Sequence, residues 1–146
     1  MQKKSTRTLI GRLEKLDLPD LSLYNLDAKI DTGAYTSSLH CHKIELVKQD
    51  DVQRVRFYVL DPDHPEFANT LYECNVHKIK NVKSSNGMIE ERVIIKQKSV
   101  FSGKKRNIEL SLTNRSEMKY PILLGRKFLT GRFIVDVSKK YVTTSD

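Results

Sequence analysis

The stretch AKIDTGAYTSSLH, residues 28–40, decides how the chain is read. An alternating run, LSLYNLDAKI at 21–30, leads straight into Asp31-Thr32-Gly33, and a small polar run follows before Leu39. Alternation with period two marks a half-buried strand, so Asp31 sits where a strand breaks into a turn. A turn aspartate commonly does no more than accept a hydrogen bond from nearby backbone. Asp-Thr-Gly alone therefore separates a turn from a reactive carboxylate poorly. Its surroundings are more specific: Ile30 before it, Ala34 after it, and a second element at 122–126, ILLGR, where aliphatics run into Gly125-Arg126 and then Phe128-Leu129.

Outward from this stretch the chain reads as β throughout. LIGRLEKLDL (9–18) and LSLYNLDAKI pair as a hairpin across Pro19-Asp20. HKIELV (42–47) and VQRVRFYVL (52–60) pair across KQDD, ending at DPDHP because Pro62 and Pro65 cannot sit in a central strand. CNVHKIKNV (74–82) and MIEERVIIKQK (88–98) flank SSNG, whose Asn86-Gly87 suits the positive φ of a tight hairpin turn. SGKKR (102–106) makes a further turn before NIELSLTN, where Ile108, Leu110 and Leu112 alternate. YPILLGRKFLTG is expected to be a strand entering a short helix, and RFIVDVSKKYV (132–142) to close the chain as strand. There is no internal repeat, low-complexity tract or linker. The expectation is one all-β, barrel-like domain over residues 1–146 with one or two short helices.

Composition narrows the class. Hydrophobic residues make up 38% and charged residues 30%, as in a soluble globular domain. No apolar run approaches the roughly 18 residues of a membrane helix, and the N-terminus lacks the apolar core of a secretory signal. This implies a cytoplasmic protein with no membrane partner. Cys41 and Cys74 are expected to be two half-buried thiols and not a disulfide framework. A net charge of +8, from 26 basic and 18 acidic residues, favours acidic partners by steering. The basic residues are spread along the chain, which speaks against nucleic acid and fits a solvated surface.

The histidines and cysteines, His40, Cys41, His42, His64, Cys74 and His77, lack the close helical spacing of hydrolytic zinc sites. No metal ligands are assigned among them. No Gly-x-x-x-x-Gly-Lys-Ser/Thr loop is present for ATP phosphates, so no cofactor is expected.

The paired motifs resemble the retropepsin-like aspartic proteases, single-domain enzymes with one Asp-Thr/Ser-Gly-Ala loop and a later aliphatic-Gly-Arg segment entering a helix. The order of flap-like hairpin, long strand, turn, strand and glycine motif is similar too. More closely, GRLEKLDLP, AKIDTGAYTSSLH, VKSSNG, EERVII, LTNR and LLGRKFLTGRFIVDVS resemble a bacterial family labelled ATP-dependent zinc proteases, although no residues here support the zinc or the ATP. The resemblance spans nearly the whole chain and implies a retropepsin-like closed barrel.

It also implies roles. Asp31 would be catalytic. Peptide hydrolysis by aspartates needs two carboxylates sharing a proton, and at about 3 Å they cannot both ionise, which separates them into an acid and a base. This chain has one such loop, so a C2 homodimer would bring two copies of Asp31 to the axis. Thr32 would hydrogen-bond across that axis. Gly33 would permit the turn and close approach to substrate, and Ala34 would leave space beside the scissile bond. Gly125 would let the aliphatic segment pack beneath the loop, with Arg126 as anchor. Ser84, Ser85, Asn86 and Gly87 would form a flap over the peptide. Lys29 sits where many aspartic proteases have an apolar residue, although it looks normal for the bacterial family. Tyr35 and Thr36 replace the acidic residues of some viral enzymes, so specificity does not carry over. Asp136 reads as a structural strand-end residue.

The family's association with ATP-grasp ligases that add glutamates, together with the positive charge, suggests acidic or glutamate-rich peptides. Two other classes stay open: a catalytically silent peptide-binding module on the same fold, and a zinc hydrolase assembled from distant segments.

Overall fold

Alternating apolar residues become strands wherever one face can be buried. A computed structural model describes residues 6–83, 86–114 and 119–143. Along the chain run β1 (Thr8–Ile10), β2 (Leu13–Leu18), a 3-10 turn (Pro19–Leu21), β3 (Leu23–Ile30), β4 (Ser37–Gln49) and β5 (Val52–Val59). Then come β6 (Leu71–Asn75), β7 (Lys78–Lys83), β8 (Ile89–Phe101), β9 (Lys104–Thr113), β10 (Ile122–Leu124), α1 (Arg126–Leu129) and β11 (Phe133–Val135).

Six strands close on themselves in the order β10-β3-β2-β8-β9-β4, with β4 returning to β10. β5 and β6 extend the sheet beyond β4, and β7 hairpins onto β8. This is the expected all-β closed barrel of retropepsin type. No helix among the described residues is long and apolar enough to cross a membrane.

β10 makes the closure. Its three residues pair in parallel with β3, matching Ile122 to Ala28 and Leu124 to Ile30. On its other side Ile122 and Leu123 pair antiparallel with Leu39 and Ser38. The period of two then separates two faces. Ala28, Leu39, Ile95, Leu110, Ile122 and Leu124 all point into one buried core. Their neighbours point outward as a register-matched row across the barrel: Leu13 to Lys29, Lys29 to Leu123, Leu123 to Ser38, Ser38 to Ser111, and Ser111 to Ile94. α1 closes one end through Phe128, edge-on to Phe101 at 5.7 Å and stacked on Phe133 at 6.0 Å.

Four expectations change in detail. LIGRLEKLDL is not one strand: it breaks at Gly11-Arg12, and β1 pairs in parallel with β11. The cause is the C-terminal segment, whose Lys139 carbonyl lies where a Cβ on residue 11 would be. CNVHKIKNV also divides, because β6 pairs with β5 whereas β7 pairs with β8. RFIVDVSKKYV is strand only over β11. Beyond it the chain turns at Asp136, which accepts from Ser138 N and Oγ, and straps back over β2. Finally, Cys41 is fully buried and only Cys74 is half-buried; desolvation raises the Cys74 thiol to about 11 and pushes Cys41 well above its usual range.

Glu14 holds that strap. It is fully buried, and its carboxylate accepts Gly11 N at 2.7 Å and Val142 N at 2.9 Å on Oε2. Oε1 accepts Thr143 N at 3.1 Å and Thr143 Oγ1 at 2.7 Å. Each carboxylate oxygen is used, so an amide would turn its NH2 against N–H donors. Glu14→Gln is expected to cost about 2–4 kcal/mol of stability. Urea titration checks this as a lowered midpoint with an unchanged slope; an unchanged midpoint would refute the strap as a stabilising element.

Candidate active site

Asp31 follows β3 directly, and its backbone N donates to Leu124 O at 2.9 Å. The parallel β3–β10 ladder thus delivers the aspartate beside the Gly125-Arg126 junction. Within the loop, Ala34 N donates to Asp31 O at 3.3 Å and Gly33 N donates to Asp31 Oδ1 at 2.9 Å. The turn bond expected of a bare Asp-Thr-Gly is therefore present, but it uses one carboxylate oxygen. A Cβ on residue 33 would come within 3.2 Å of that same oxygen. Glycine here serves the approach to the carboxylate; its φ is not left-handed.

The loop is fixed from beneath. Arg126 N donates to Ala34 O and Lys127 N to Tyr35 O, both at 2.8 Å. Gly125 N donates to the buried Ser37 Oγ at 3.1 Å. A Cβ on Gly125 would sit 2.7 Å from the carbonyl oxygens of both Tyr35 and Thr36. Two backbones touch at this point, which only glycine permits. Arg126 Nη1 then donates to Thr32 O at 3.0 Å, and its guanidinium lies 5.9 Å from the Tyr35 ring centroid. Asp31 is half-buried; Thr32 and Gly33 are exposed.

Above the loop lies a groove of about 850 Å³. Asp31 and Ala34 line it, as do Leu13, Lys29, Leu123, Ser38 and Ser111 from the outward row of the barrel. Arg12, Lys29, Arg92, Lys119 and Lys140 also face it, and among the described lining residues Asp31 is the sole carboxylate. An excess of cations on low-dielectric walls focuses a field that draws anions in. The structure thus joins Asp31, Thr32, Gly33, Ala34, Gly125 and Arg126 into one cluster. Asn86 and Gly87, at the β7–β8 tip, are exposed and do not line the groove; Ser84 and Ser85 lie outside the described residues. Gly87 has the left-handed φ of 83° that the turn requires.

Several lining residues escaped the sequence reading. Ser111 and Thr113 alternate with Leu110 and Leu112 in NIELSLTN, so the signal existed: small hydroxyls where a solvated strand would carry long charges. Ser38, and Ser37 that supports the loop beneath it, were visible only as a polar run. Arg12, Arg92, Lys119 and Lys140 come from four distant segments and carried no local signal.

The histidines are dispersed to separate partners. Buried His40 pairs through Nε2 with Asp61 Oδ2 at 3.0 Å, and His64 Nε2 lies 2.9 Å from Lys119 O. Among the described residues no group of three His, Cys, Asp or Glu side chains is placed to hold a metal ion.

A second, smaller cleft adjoins the loop, and Glu109 knots it together. Its carboxylate meets Lys127 Nζ at 2.7 Å and Lys78 Nζ at 3.1 Å, linking α1 to the base of the β7–β8 hairpin. The Lys127 hydrogen bond, above all, lowers the Glu109 carboxyl from 4.5 to about 2. A carboxylate held below its unfolded value contributes stability above that value and loses it as pH falls through the folded one. Acid unfolding is therefore expected to draw on Glu109 between about pH 4.5 and 2, and Glu109→Gln should flatten the stability-versus-pH curve there. An identical curve would refute the linkage. At Gly125 a methyl meets backbone, not a movable side chain, so Gly125→Ala is expected to cost at least about 2 kcal/mol. It should also shift the amide resonances of residues 31–36; unperturbed resonances would contradict the close crossing.

The chain is 34% identical over 130 residues to a "Probable alpha-L-glutamate ligase" of Parasynechococcus marenigrum (strain WH8102), which covers 89% of this chain but 28% of that protein. It is likewise 34% identical over 133 residues to a protein of the same description from Shewanella halifaxensis (strain HAW-EB4), covering 91% and 29%. The chain thus spans under a third of the length of the curated relatives it matches. The crystal structure of protein Lpg0085 from Legionella pneumophila subsp. pneumophila str. Philadelphia 1, described as of unknown function (DUF785), superposes with a TM-score of 0.73 at 28% identity, over 95% of this chain and 100% of that one. Residues 9–146 match the family described as RimB-like, retropepsin-like aspartic endopeptidase RimB. The chain belongs to this RimB-like family of retropepsin-like aspartic endopeptidases.

Proposed function

We propose that the protein is an aspartic-type endopeptidase that works as a homodimer, with Asp31 of each subunit facing a shared water, and that it cuts acidic peptides. The observation that carries this reading is Asp31, held by the Gly125 crossing as the sole carboxylate among the described residues of a groove with five cationic side chains. Family membership supports the chemistry, and the glutamate ligase names of the relatives support an acidic substrate.

In this mechanism the peptide lies across the loop with Ala34 beside its scissile bond. One Asp31 takes a proton from water, and the water oxygen bonds to the carbonyl carbon. The other Asp31, which holds the shared proton, protonates the carbonyl oxygen; the first then gives the proton it took from water to the departing nitrogen, while the second takes one back from the diol. The C–N bond breaks and one water is consumed. Thr32 and Gly33 meet their symmetry copies, Arg126 steadies Thr32, and the hairpin tip at Asn86 and Gly87 closes over the peptide to exclude water.

The test is one mass-spectrometric assay of the protein and its Asp31→Asn variant, against glutamate-rich and lysine-rich peptides, from pH 4 to 8 with chelator. Cleavage of the glutamate-rich set is expected, falling by at least about a thousandfold in the variant, the scale of losing an essential acid–base group. Cleavage that persists in the variant, or a strict monomer at micromolar concentration by sedimentation, would defeat the paired-aspartate reading. Binding of peptide without any cleavage would favour a peptide-binding module. Loss of cleavage on adding chelator would favour a metal hydrolase.

A further inference from the structure

Most buried polar groups in this fold are used. Ser37 Oγ accepts from Gly125, Ser99 Oγ donates to Arg106 O at 2.7 Å, and Glu14 takes four donors. One wall of the groove departs from this economy. Ser111 and Thr113 are 5% and 7% exposed, and neither hydroxyl has a hydrogen-bond partner among the described residues. Arg92 Nε is in the same condition. All three line the groove. The remaining unpartnered polar atoms, on His40, Gln97 and Arg106, belong to residues that do not line it. Buried hydroxyl and guanidinium groups are ordinarily satisfied, so three together on one wall point to something they are built to hold.

Register explains why they meet. Ser111 is matched to Ser38 across β4–β9 and to Ile94 across β9–β8. In an antiparallel ladder, two steps back from Ile94 correspond to two steps forward from Ser111, which brings Arg92 beside Thr113 on the same face. Leu123, matched to Ser38 on the other side, adds an apolar wall. Among the described residues Arg92 makes one ion pair, a long one of 3.7 Å to Glu90, a residue 62% exposed. Its charge is thus left for the groove.

We infer that Ser38, Ser111, Thr113 and Arg92 form a specificity pocket that takes the side-chain carboxylate of one acidic residue in the bound peptide. The inference rests on reading the groove as a peptide site, and it adds which residues choose the side chain. Hydroxyls and a guanidinium all donate to carboxylate oxygens, and Leu123 covers the methylenes of a glutamate. Glutamine has the same shape, but its NH2 would face the guanidinium and lose the charge-assisted bonds. A lysine would be repelled outright. The Glu/Gln pair therefore isolates the pocket from mere size.

The experiment measures binding to the Asp31→Asn protein, so that turnover is not required. Acidic peptides are scanned with glutamate replaced by glutamine one position at a time. At one position glutamate is expected to bind at least about tenfold more tightly than glutamine. That ratio should collapse toward one in Arg92→Gln and in Ser111→Ala/Thr113→Val, each made in the same background. Two variants are used because the hydroxyl pair is buried and the arginine lies on the groove surface. A ratio that survives both changes overturns the pocket. So does a weak preference spread evenly over all positions, which is the field of the groove alone, and so does failure to bind any peptide. Hydrolysis of the same peptides by the unaltered protein scores the peptidase reading separately. Position-specific binding without cutting defeats the peptidase and leaves the pocket, whereas cutting without Glu/Gln preference defeats the pocket and leaves the peptidase.

Discussion

The crossing of two backbones at Gly125 is the constraint on which the rest depends. The amides of Arg126 and Lys127 reach the carbonyls of Ala34 and Tyr35 only because nothing stands on the Cα between the two segments. With that contact made, β10 lies between β3 and β4 and completes a ring of six strands with only three residues. The same contact fixes where the Asp31 loop emerges. Closure of the barrel and placement of the reactive carboxylate are therefore one event, and a change at the crossing reaches both.

From the closure follows a division of labour between faces. A strand in this barrel gives one face to the core, and the other becomes the floor of the groove. The row Leu13, Lys29, Leu123, Ser38, Ser111, Ile94 crosses six strands at one level. Such a row is straight because β-ladder register is strict, so a ligand lying along it meets a fixed sequence of side chains. The net charge of +8 is spent unevenly over this architecture. Glu109 neutralises lysines at the hairpin base, whereas the cations of the main groove face Asp31 alone among the described lining residues. The groove's positive field is thus a local property that the overall charge only hinted at.

Much of this was legible in the chain. Alternation located nearly every strand, Asn86-Gly87 and Ser102-Gly103 located two hairpins, and the two glycine motifs identified the barrel type. What failed to show was anything decided by a distant segment. Gly11-Arg12 breaks a run that is uniformly strand-like because the C-terminal strap, more than 120 residues away, occupies the space there. KKYV at 139–142 has strand composition but becomes a strap because Glu14 and the Leu13 carbonyl claim its amides before any strand can. CNVHKIKNV has an unbroken pattern yet serves two different strands, since β5 and β8 offer their edges on opposite sides of Val76. The site divided in the same way. The loop and its support sat in contiguous motifs and were readable, whereas the groove wall gathers single residues from β2, β3, β8, β9 and the C-terminal strap.

The exposure of the Asp31 loop has one more consequence for how such a site can work. A carboxylate acting alone on water has no acid opposite it, and the groove supplies none among its described residues. Its other polar groups are cations and hydroxyls, which bind anions but cannot divide one proton with a carboxylate in the required way. In the proposed homodimer the second carboxylate arrives from the other subunit, at Thr32 and Gly33, the exposed part of the loop. Arg126 is then best understood through Thr32. By binding the Thr32 carbonyl from below, it leaves the outer side of the loop free and holds it level. A symmetric partner needs such a surface, because in a two-fold contact each error in the loop is met by the same error in its copy. The rigidity bought at the Gly125 crossing is thus what would allow two identical, separately folded subunits to place their aspartates close enough to share a proton.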